Sequence, residues 1–471
     1  MQLFHRCWRR AAVLLAATGL SSAAHAADSA KPNIVVILAD DLGWGELGAQ
    51  GNTQIPTPNI DSIASGGIKF TNAYVSGPYC SPTRAGLLTG RYQTRFGHEF
   101  NPGGPRAQEG LPLDEKTIAD HMKAAGYATG AIGKWHLGAQ PQFRPSKRGF
   151  DDFYGTLANS AFFHPEIVDT RNSDDPVKVT EEGFYTTDAY AARAVEWIGE
   201  HKAEPFFLYL PFNAQHAPLQ ATQKYLDRFD TIKDPKRKTF AAMLSALDDA
   251  VGQVLGSLEK NGLAENTLVI FLTDNGGPTG QTTSSNLPLR GFKATTLEGG
   301  VRVPFYAQWK GHLPAGKVYE QPVIQLDILP TALAIAGAPV AESDKIDGVN
   351  LLPYLEGEKE EPPHEALYWR FGQQWAVRDG DWKLVASRLD GFKPQLFNLA
   401  EDMGEANDLS ADNPEKVTEL KAQWDEWNEG NVPAKWTPDP KKKKAGAKKA
   451  GSRNPAARRA RRAARAAAES P

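Results

Sequence analysis

The run Asn33-Ile34-Val35-Val36-Ile37-Leu38-Ala39 leads directly into Asp40-Asp41-Leu42-Gly43. Seven residues without a charge, most of them aliphatic and four β-branched, read as a strand buried on both faces. Such strands belong to parallel or mixed sheets with helices on either side. In open α/β sheets, ligands collect at the carboxyl ends of the strands. Two adjacent carboxylates at that place repel each other and are costly without a cation. The pattern recurs far along the chain, where Thr267-Leu268-Val269-Ile270-Phe271-Leu272-Thr273 leads into Asp274-Asn275-Gly276-Gly277. Either pair alone is an ordinary strand-end turn or helix cap. Together, Asp40, Asp41, Asp274 and Asn275 make an oxygen-only ligand set, which suits Ca2+ or Mg2+ better than zinc.

Between these runs lies Ser76-Gly77-Pro78-Tyr79-Cys80-Ser81-Pro82-Thr83-Arg84-Ala85-Gly86-Leu87-Leu88-Thr89-Gly90-Arg91. It begins in turn chemistry and continues as a helix, with Pro82 where a first turn tolerates proline. Cys80 stands at the junction, where unpaired N–H groups and the dipole favour an anion. Arg84 adds a permanent cation about one turn on. Further on, Tyr127 to Gly138 reads Tyr-Ala-Thr-Gly-Ala-Ile-Gly-Lys-Trp-His-Leu-Gly. If extended, Lys134 and His136 share one face and Trp135 packs on the other. Residues 205–212 form another apolar strand, which delivers Asn213-Ala214-Gln215-His216-Ala217-Pro218. An imidazole there titrates near neutral pH, as a proton donor must. Pro288-Leu289-Arg290-Gly291-Phe292-Lys293 and the stretch through Pro304 add Lys293, with Arg290 and Arg302 expected in structural ion pairs.

Cys80-Ser81-Pro82-Thr83-Arg84 resembles the Cys-x-Pro-x-Arg signature of the type I sulfatases, and the Gly133-Lys134-Trp135-His136 region resembles their second signature. Several separated motifs match in order, over nearly all of the chain except its ends. The resemblance implies an α/β fold of alkaline phosphatase type: a large mixed sheet flanked by helices, then a small C-terminal antiparallel sheet plus helix. It implies that Cys80 is oxidised to formylglycine by a formylglycine-generating maturase, and that the hydrated aldehyde is the nucleophile. It further implies one Ca2+ on Asp40, Asp41, Asp274 and Asn275, with position 80, Cys80, as a further ligand. Lys134 and Lys293 would contact sulfate, His136 with Arg84 would orient the hydrate, and His216 would protonate the leaving alcohol. The expected substrate is a sulfated small molecule or glycan. A phosphomonoester or phosphonate hydrolase on the same scaffold, or a non-catalytic binder of sulfated glycans, are the rival readings.

The chain of 471 residues suits one large α/β unit plus a smaller one. Arg6, Arg9 and Arg10, an apolar run over 11–17 and Ala24-His25-Ala26 read as an export signal over 1–26. The apolar run is too short for a stable membrane span. A catalytic domain is then expected over 27–345, an α+β subdomain over 346–436 and a basic, disordered tail over 437–471. With Cys7 inside the signal, the exported chain would keep a single cysteine, Cys80, with no disulfide partner. Residues 441–471 carry 12 Lys and Arg against one Glu, so the formal charge of −3 leaves −14 on residues 1–440. An acidic body argues against non-specific nucleic-acid binding. Residues 140–176 read as long loops and 185–201 as a helix. In the helix over 240–258, Asp248 and Asp249 are expected on the solvent side. His164 and Asn159 read as ordinary loop polarity, and His98 carries no signal that singles it out. The hairpin at Asp379-Gly380 and a helix over 414–428 belong to the small unit.

Overall fold

Aliphatic and β-branched residues with no charge to solvate build the centre of the molecule. The computed structural model describes residues 31–104 and 107–437; the stretch expected as an export signal, and the expected basic tail beyond residue 437, lie outside the described residues. Its strands are β1 (Asn33–Ala39), β2 (Ile68–Phe70), β3 (Ala73–Tyr74), β4 (Ala128–Lys134), β5 (Asp152–Thr156), β6 (Glu166–Asp169), β7 (Ser173–Lys178), β8 (Phe206–Pro211), β9 (Thr267–Thr273), β10 (Phe305–Gln308), β11 (Lys317–Tyr319), β12 (Val323–Ile324), β13 (Ala366–Phe371), β14 (Gln374–Asp379), β15 (Trp382–Ala386) and β16 (Pro394–Asn398). Ten of them form one mixed sheet in the order β11-β2-β10-β9-β1-β8-β4-β5-β6-β7. β1 lies between β8 and β9, parallel to both.

Every residue of β1 is buried, and alternate side chains serve opposite cores. Ile34, Val36 and Leu38 pack with the helices Ile118–Ala124 and Ile328–Ala336. Val35, Ile37 and Ala39 pack with the helices Thr186–Glu200 and Pro235–Lys260. Each large aliphatic side chain so buried contributes about 1.5–3 kcal/mol, which explains why a strand with no polar face is the most central one. Its register decides where the carboxylates go. Ala39 pairs with Thr273, so Asp40 and Asp274 leave the sheet side by side, and the Asp274 amide donates to the Ala39 carbonyl at 3.1 Å.

The second sheet, β13-β14-β15-β16, is antiparallel and turns at Asp379 and Gly380, with the helix Pro414–Glu429 packed on it. A buried charge cluster ties this sheet to the main body. Glu298 accepts from Lys383 at 2.7 Å, from the Tyr74 hydroxyl at 2.7 Å and from Arg302 at 3.3 Å. Lys383 also pairs with Glu405 at 2.9 Å, and Glu405 accepts the Glu298 amide at 2.8 Å. Arg302 thus sits in a structural ion pair, as does Arg290, which meets Asp390 at 2.5 Å.

Two expectations fail. Residues 140–176 are not simply loops: β5, β6 and β7 carry the main sheet to its edge there. β7 is mostly exposed and contains Asp174, Asp175, Pro176 and Lys178. Charge and proline are what protect a sheet edge from further pairing, and they read as loop. Asp248 does not face solvent. It is 3% exposed and accepts the amides of Asn59 and Ile60 at 3.0 and 2.8 Å, capping the helix Pro58–Ser65 from 189 residues away. Asp249 does pair outward, with Arg228 at 2.7 Å.

Candidate active site

Five segments from distant parts of the chain converge at the carboxyl end of β1. The helix Cys80–Thr89 begins at Cys80, with Tyr79 extended before it. Its whole length is buried, so its first turn is fixed by packing and by side-chain bonds. Asn101 accepts the Ser81 amide at 3.0 Å. The Ser81 hydroxyl donates to the His136 carbonyl at 2.6 Å and lies 2.6 Å from His98 Nε2. Because that hydroxyl proton goes to the carbonyl, the imidazole must donate to the hydroxyl oxygen. His98, set aside on sequence, therefore ties the start of this helix to the His136 segment. Nothing in its local sequence marks it out.

Cys80 Sγ lies 3.5 Å from Asp40 Oδ1, 4.0 Å from Asp41 Oδ1 and 3.0 Å from Lys293 Nζ. Asp40 is also in contact with Lys134, and Arg84 Nη2 stands 3.6 Å from it. Arg84 binds Asp274 through Nε at 3.1 Å and Nη2 at 2.8 Å, and its Nη1 donates to the Lys134 carbonyl at 2.8 Å. Lys293 meets Asp41 at 2.5 Å, and the Asn275 amide donates to the same Asp41 oxygen at 2.8 Å. His216 Nδ1 lies 2.5 Å from the Ala217 carbonyl, so that nitrogen carries a proton and Nε2 faces Asp41 Oδ2 at 3.7 Å.

The sequence-based geometry around Lys134 needs correction. Extended alternation stops at Lys134, the last residue of β4, and His136 has φ of 62° in the left-handed region. His136 still lies in the electrostatic neighbourhood of Lys134, Arg84, Asp40 and His216. Trp135 turns to the opposite core, with its indole donating to the Phe143 carbonyl at 2.8 Å. All ten residues singled out above thus gather in one place.

Burial and charge act against each other in this cluster. Desolvation would raise the Asp40 carboxyl, but Lys134, then His216, Arg84 and Lys293, hold it well below the usual range. Asp274 is pushed up to about 6 by burial and by Asp40, in spite of Arg84. Burial, reinforced by Asp40, raises the Cys80 thiol far above its ordinary value. An unmodified sulfur here stays protonated and is a poor nucleophile. Burial lowers His216, with Asp41 and Asp40 opposing, and burial lowers His136 further, with Lys134 and Arg84 adding to it.

Asp40, Asp41, Asp274 and Cys80 bring one ligand atom each to within 4.8 Å of one another. Asp41 Oδ2 and Asn275 Oδ1 are buried and have no hydrogen-bond partner among the described residues. Leaving such acceptors bare costs about 1–3 kcal/mol each. Three carboxylates and an amide oxygen fit a hard divalent cation, which would use both bare oxygens and offset the repulsion felt by Asp274. Cys80 itself has no accessible surface. Lys293, which touches its sulfur, and His216 line a cleft of about 800 Å³, together with Tyr79, Asn101, Asn159 and Phe292.

A family model described as Sulfatase matches residues 32–338, and one described as N-sulphoglucosamine sulphohydrolase, C-terminal, matches residues 292–429. The chain is 33% identical over 445 residues to N-acetylgalactosamine-6-sulfatase of Sus scrofa, covering 83% of this chain and 84% of that protein. It is 34% identical over 448 residues to arylsulfatase A of Homo sapiens, covering 83% and 85% respectively. Among solved structures, Ps i-CgsB is similar with a TM-score of 0.82 and 36% identity over 88% of this chain and 96% of the other. That protein has also been solved in complex with k-i-k-neocarrahexaose.

Proposed function

Because the chain belongs to the sulfatase family, whose members hydrolyse sulfuric esters, we propose that it removes sulfate from a sulfated carbohydrate after export, with aryl sulfates as surrogate substrates. The observation that carries this reading is the convergence of Asp40, Asp41, Asp274 and Asn275 beside position 80, with two oxygens left bare. Ca2+ held by those four side chains would neutralise charge on the sulfate, and formylglycine at position 80 would supply paired hydroxyls, one to attack sulfur and one to assist its release.

The chain's own residues account for the rest. Lys293 bridges position 80 and the cleft, so it holds a sulfate oxygen against the nucleophile. Lys134 and Arg84, both fully buried, fix Asp40 and Asp274 and keep positive charge behind the reacting sulfur. His216 presents Nε2 next to the cleft. Burial keeps it neutral at rest, and an arriving sulfate anion raises its proton affinity. It then protonates the ester oxygen as the S–O bond breaks, giving alcohol and, after release, inorganic sulfate. His136, held neutral, takes the proton freed when position 80 is regenerated.

The same reading makes 1–26 an export signal, 27–345 the catalytic domain and 346–436 a subdomain closing one side of the cleft, with a maturase as the partner that converts Cys80. Among the described residues, no helix is long and apolar enough to cross a membrane. The test runs 4-nitrophenyl sulfate and 4-nitrophenyl phosphate in parallel, with intact mass measured on the peptide holding Cys80. Sulfate turnover with the lighter, aldehyde-bearing peptide is the expected result. Faster phosphate turnover, or full activity from an unaltered cysteine, overturns it.

A further inference from the structure

After the helix Pro414–Glu429 the chain returns to the catalytic body as a short strap. The Val432 amide donates to the Thr94 carbonyl at 3.1 Å, and the Lys435 amide to the Gly97 carbonyl at 2.9 Å. Gly97 has φ of 76°, and a Cβ there would come within 2.8 Å of the Pro433 carbonyl oxygen, so only glycine lets the two segments meet. Trp436 closes the strap, 336 residues beyond Phe100. Its indole N–H donates to the Phe100 carbonyl at 2.9 Å and to the Asn101 carbonyl at 3.0 Å. The same ring stands edge-on to His98, with centroids 4.7 Å apart.

What the strap grips is the support of position 80. A helix start leaves backbone N–H groups without partners, and Tyr79, just before this helix, caps none of them with its side chain. Asn101 does so from a distance, accepting the Ser81 amide at 3.0 Å. His98 holds the Ser81 hydroxyl at 2.6 Å, and that hydroxyl donates to the His136 carbonyl. One buried serine therefore sets the spacing between the nucleophile's turn and the His136 segment. Glu99, between His98 and Phe100, is pinned from the small sheet. It meets Arg370 of β13 at 3.0 Å and accepts the Gly372 amide at 2.5 Å.

We propose that Trp436 is a positioning residue for the sulfatase reaction. It holds His98 and Asn101, and through them the Ser81 turn, so that position 80 meets sulfur in line. The proposal rests on the sulfatase reading above and adds to it a residue that does not itself line the cleft. A shift on the order of 1 Å in such a support costs about 10²-fold in rate. The strap acts on the alignment of bound ester, so kcat carries the effect and KM does not.

The experiment uses the full chain and 4-nitrophenyl sulfate, with turnover normalised to the fraction of Cys80 peptide that carries the aldehyde mass. Trp436→Phe keeps an aromatic ring beside His98 and loses both N–H bonds. It should lower kcat about fivefold or more, with KM within about twofold and melting near that of the wild type. Trp309→Phe is the control. Its indole also donates to a carbonyl, that of Glu265 at 3.1 Å, beyond the end of β9 opposite Asp274, and kcat should not change. His98→Phe should lower kcat about tenfold, whereas His98→Gln, which keeps an N–H donor for Ser81, should lower it less than about threefold. Trp436→Phe combined with His98→Phe should cost less than the product of the two losses, because both act on one turn. Amide exchange of the peptide holding Ser81 should quicken about tenfold in Trp436→Phe and stay unchanged in Trp309→Phe. Unchanged kcat in Trp436→Phe, a loss confined to KM, a loss that Trp309→Phe shares, equal losses from the two His98 variants, or losses that simply multiply overturn the proposal. So does unchanged exchange at Ser81, whatever the turnover. Wild-type protein that turns over no aryl sulfate would instead count against the sulfatase reading.

Discussion

Two clusters of buried charge lie in this molecule, and they are built on opposite plans. Around Glu298, Glu405 and Lys383, the acids are tied to cations and backbone, and the cluster is shared by the large sheet and the small one. Around Asp40, Asp41 and Asp274, three carboxylates face Arg84, Lys134 and Lys293, yet Asp41 Oδ2 and Asn275 Oδ1 still lack partners among the described residues. The first cluster spends its charge on holding two layers together. The second keeps acceptor capacity in reserve, at a cost in stability, because something else is to be bound there. In the first cluster even the Glu405 oxygen that lacks a hydrogen bond lies 2.9 Å from Lys383, so what sets the second apart is buried acceptors that no lysine or arginine touches.

Each side of that contrast can be broken separately. The largest effect belongs to Cys80→Ala and Cys80→Ser. Both should lower sulfatase turnover on the order of 10⁴-fold or more, the scale on which removing a nucleophile acts, while thermal melting stays near that of the wild type. Comparable turnover from Cys80→Ala removes position 80 from the chemistry. The next effect is on the structural cluster. Lys383→Met leaves Glu298 and Glu405 without their shared cation and should destabilise the fold by about 3–5 kcal/mol, read by urea denaturation. Turnover per folded molecule should change only a few-fold. A large loss of turnover with unchanged stability would erase the distinction between the clusters.

Cation addition sharpens the comparison. Calcium at 100 times its dissociation constant should stabilise the protein by about 2.7 kcal/mol. Asp41→Asn should abolish that gain, and Glu405→Gln should keep it. A calcium-dependent melting shift that survives Asp41→Asn would place the cation elsewhere.

The smallest effect is a pH dependence. Burial raises Glu405 to about 7, with Lys383 opposing and Glu298 reinforcing. The folded state therefore holds that proton more tightly than the unfolded chain does. Its contribution is complete below about pH 4.5, the ordinary glutamate range, and is lost as pH rises through 7. Glu298 shifts the other way, to about 2, because Lys383, Arg302 and Arg378 outweigh its burial. Its contribution is present above the ordinary range and is lost as pH falls toward 2. Glu405→Gln should accordingly gain melting temperature relative to the wild type between pH 5 and pH 8. A difference that is flat over that window would contradict the assignment.

Much of this architecture was legible because its signals are local. The apolar runs at 33–39 and 267–273 mark buried strands by composition, and each ends in the residues that the site uses. The hairpin at Asp379 and Gly380 follows from turn chemistry. What escaped depends on partners far away. Asp248 looks like a surface acid until the amides of residues 59 and 60 come to it. β6 and β7 look like loop because their stability comes from joining an existing sheet at its edge. His98 acquires meaning only through Ser81. The family resemblance added the chemistry of position 80, which no periodicity or spacing could supply.

The sulfur at position 80 has no accessible surface once the chain is folded. Its carboxylate surroundings include Asp274, from a strand nearly two hundred residues downstream. On the proposed reading, an enzyme that converts that side chain would need to reach it before the later strands dock. The order of synthesis favours this, since residue 80 emerges long before residue 274. Readiness for catalysis would then be decided during a brief interval of chain growth, and a molecule that folds too soon would be locked out of its own activity.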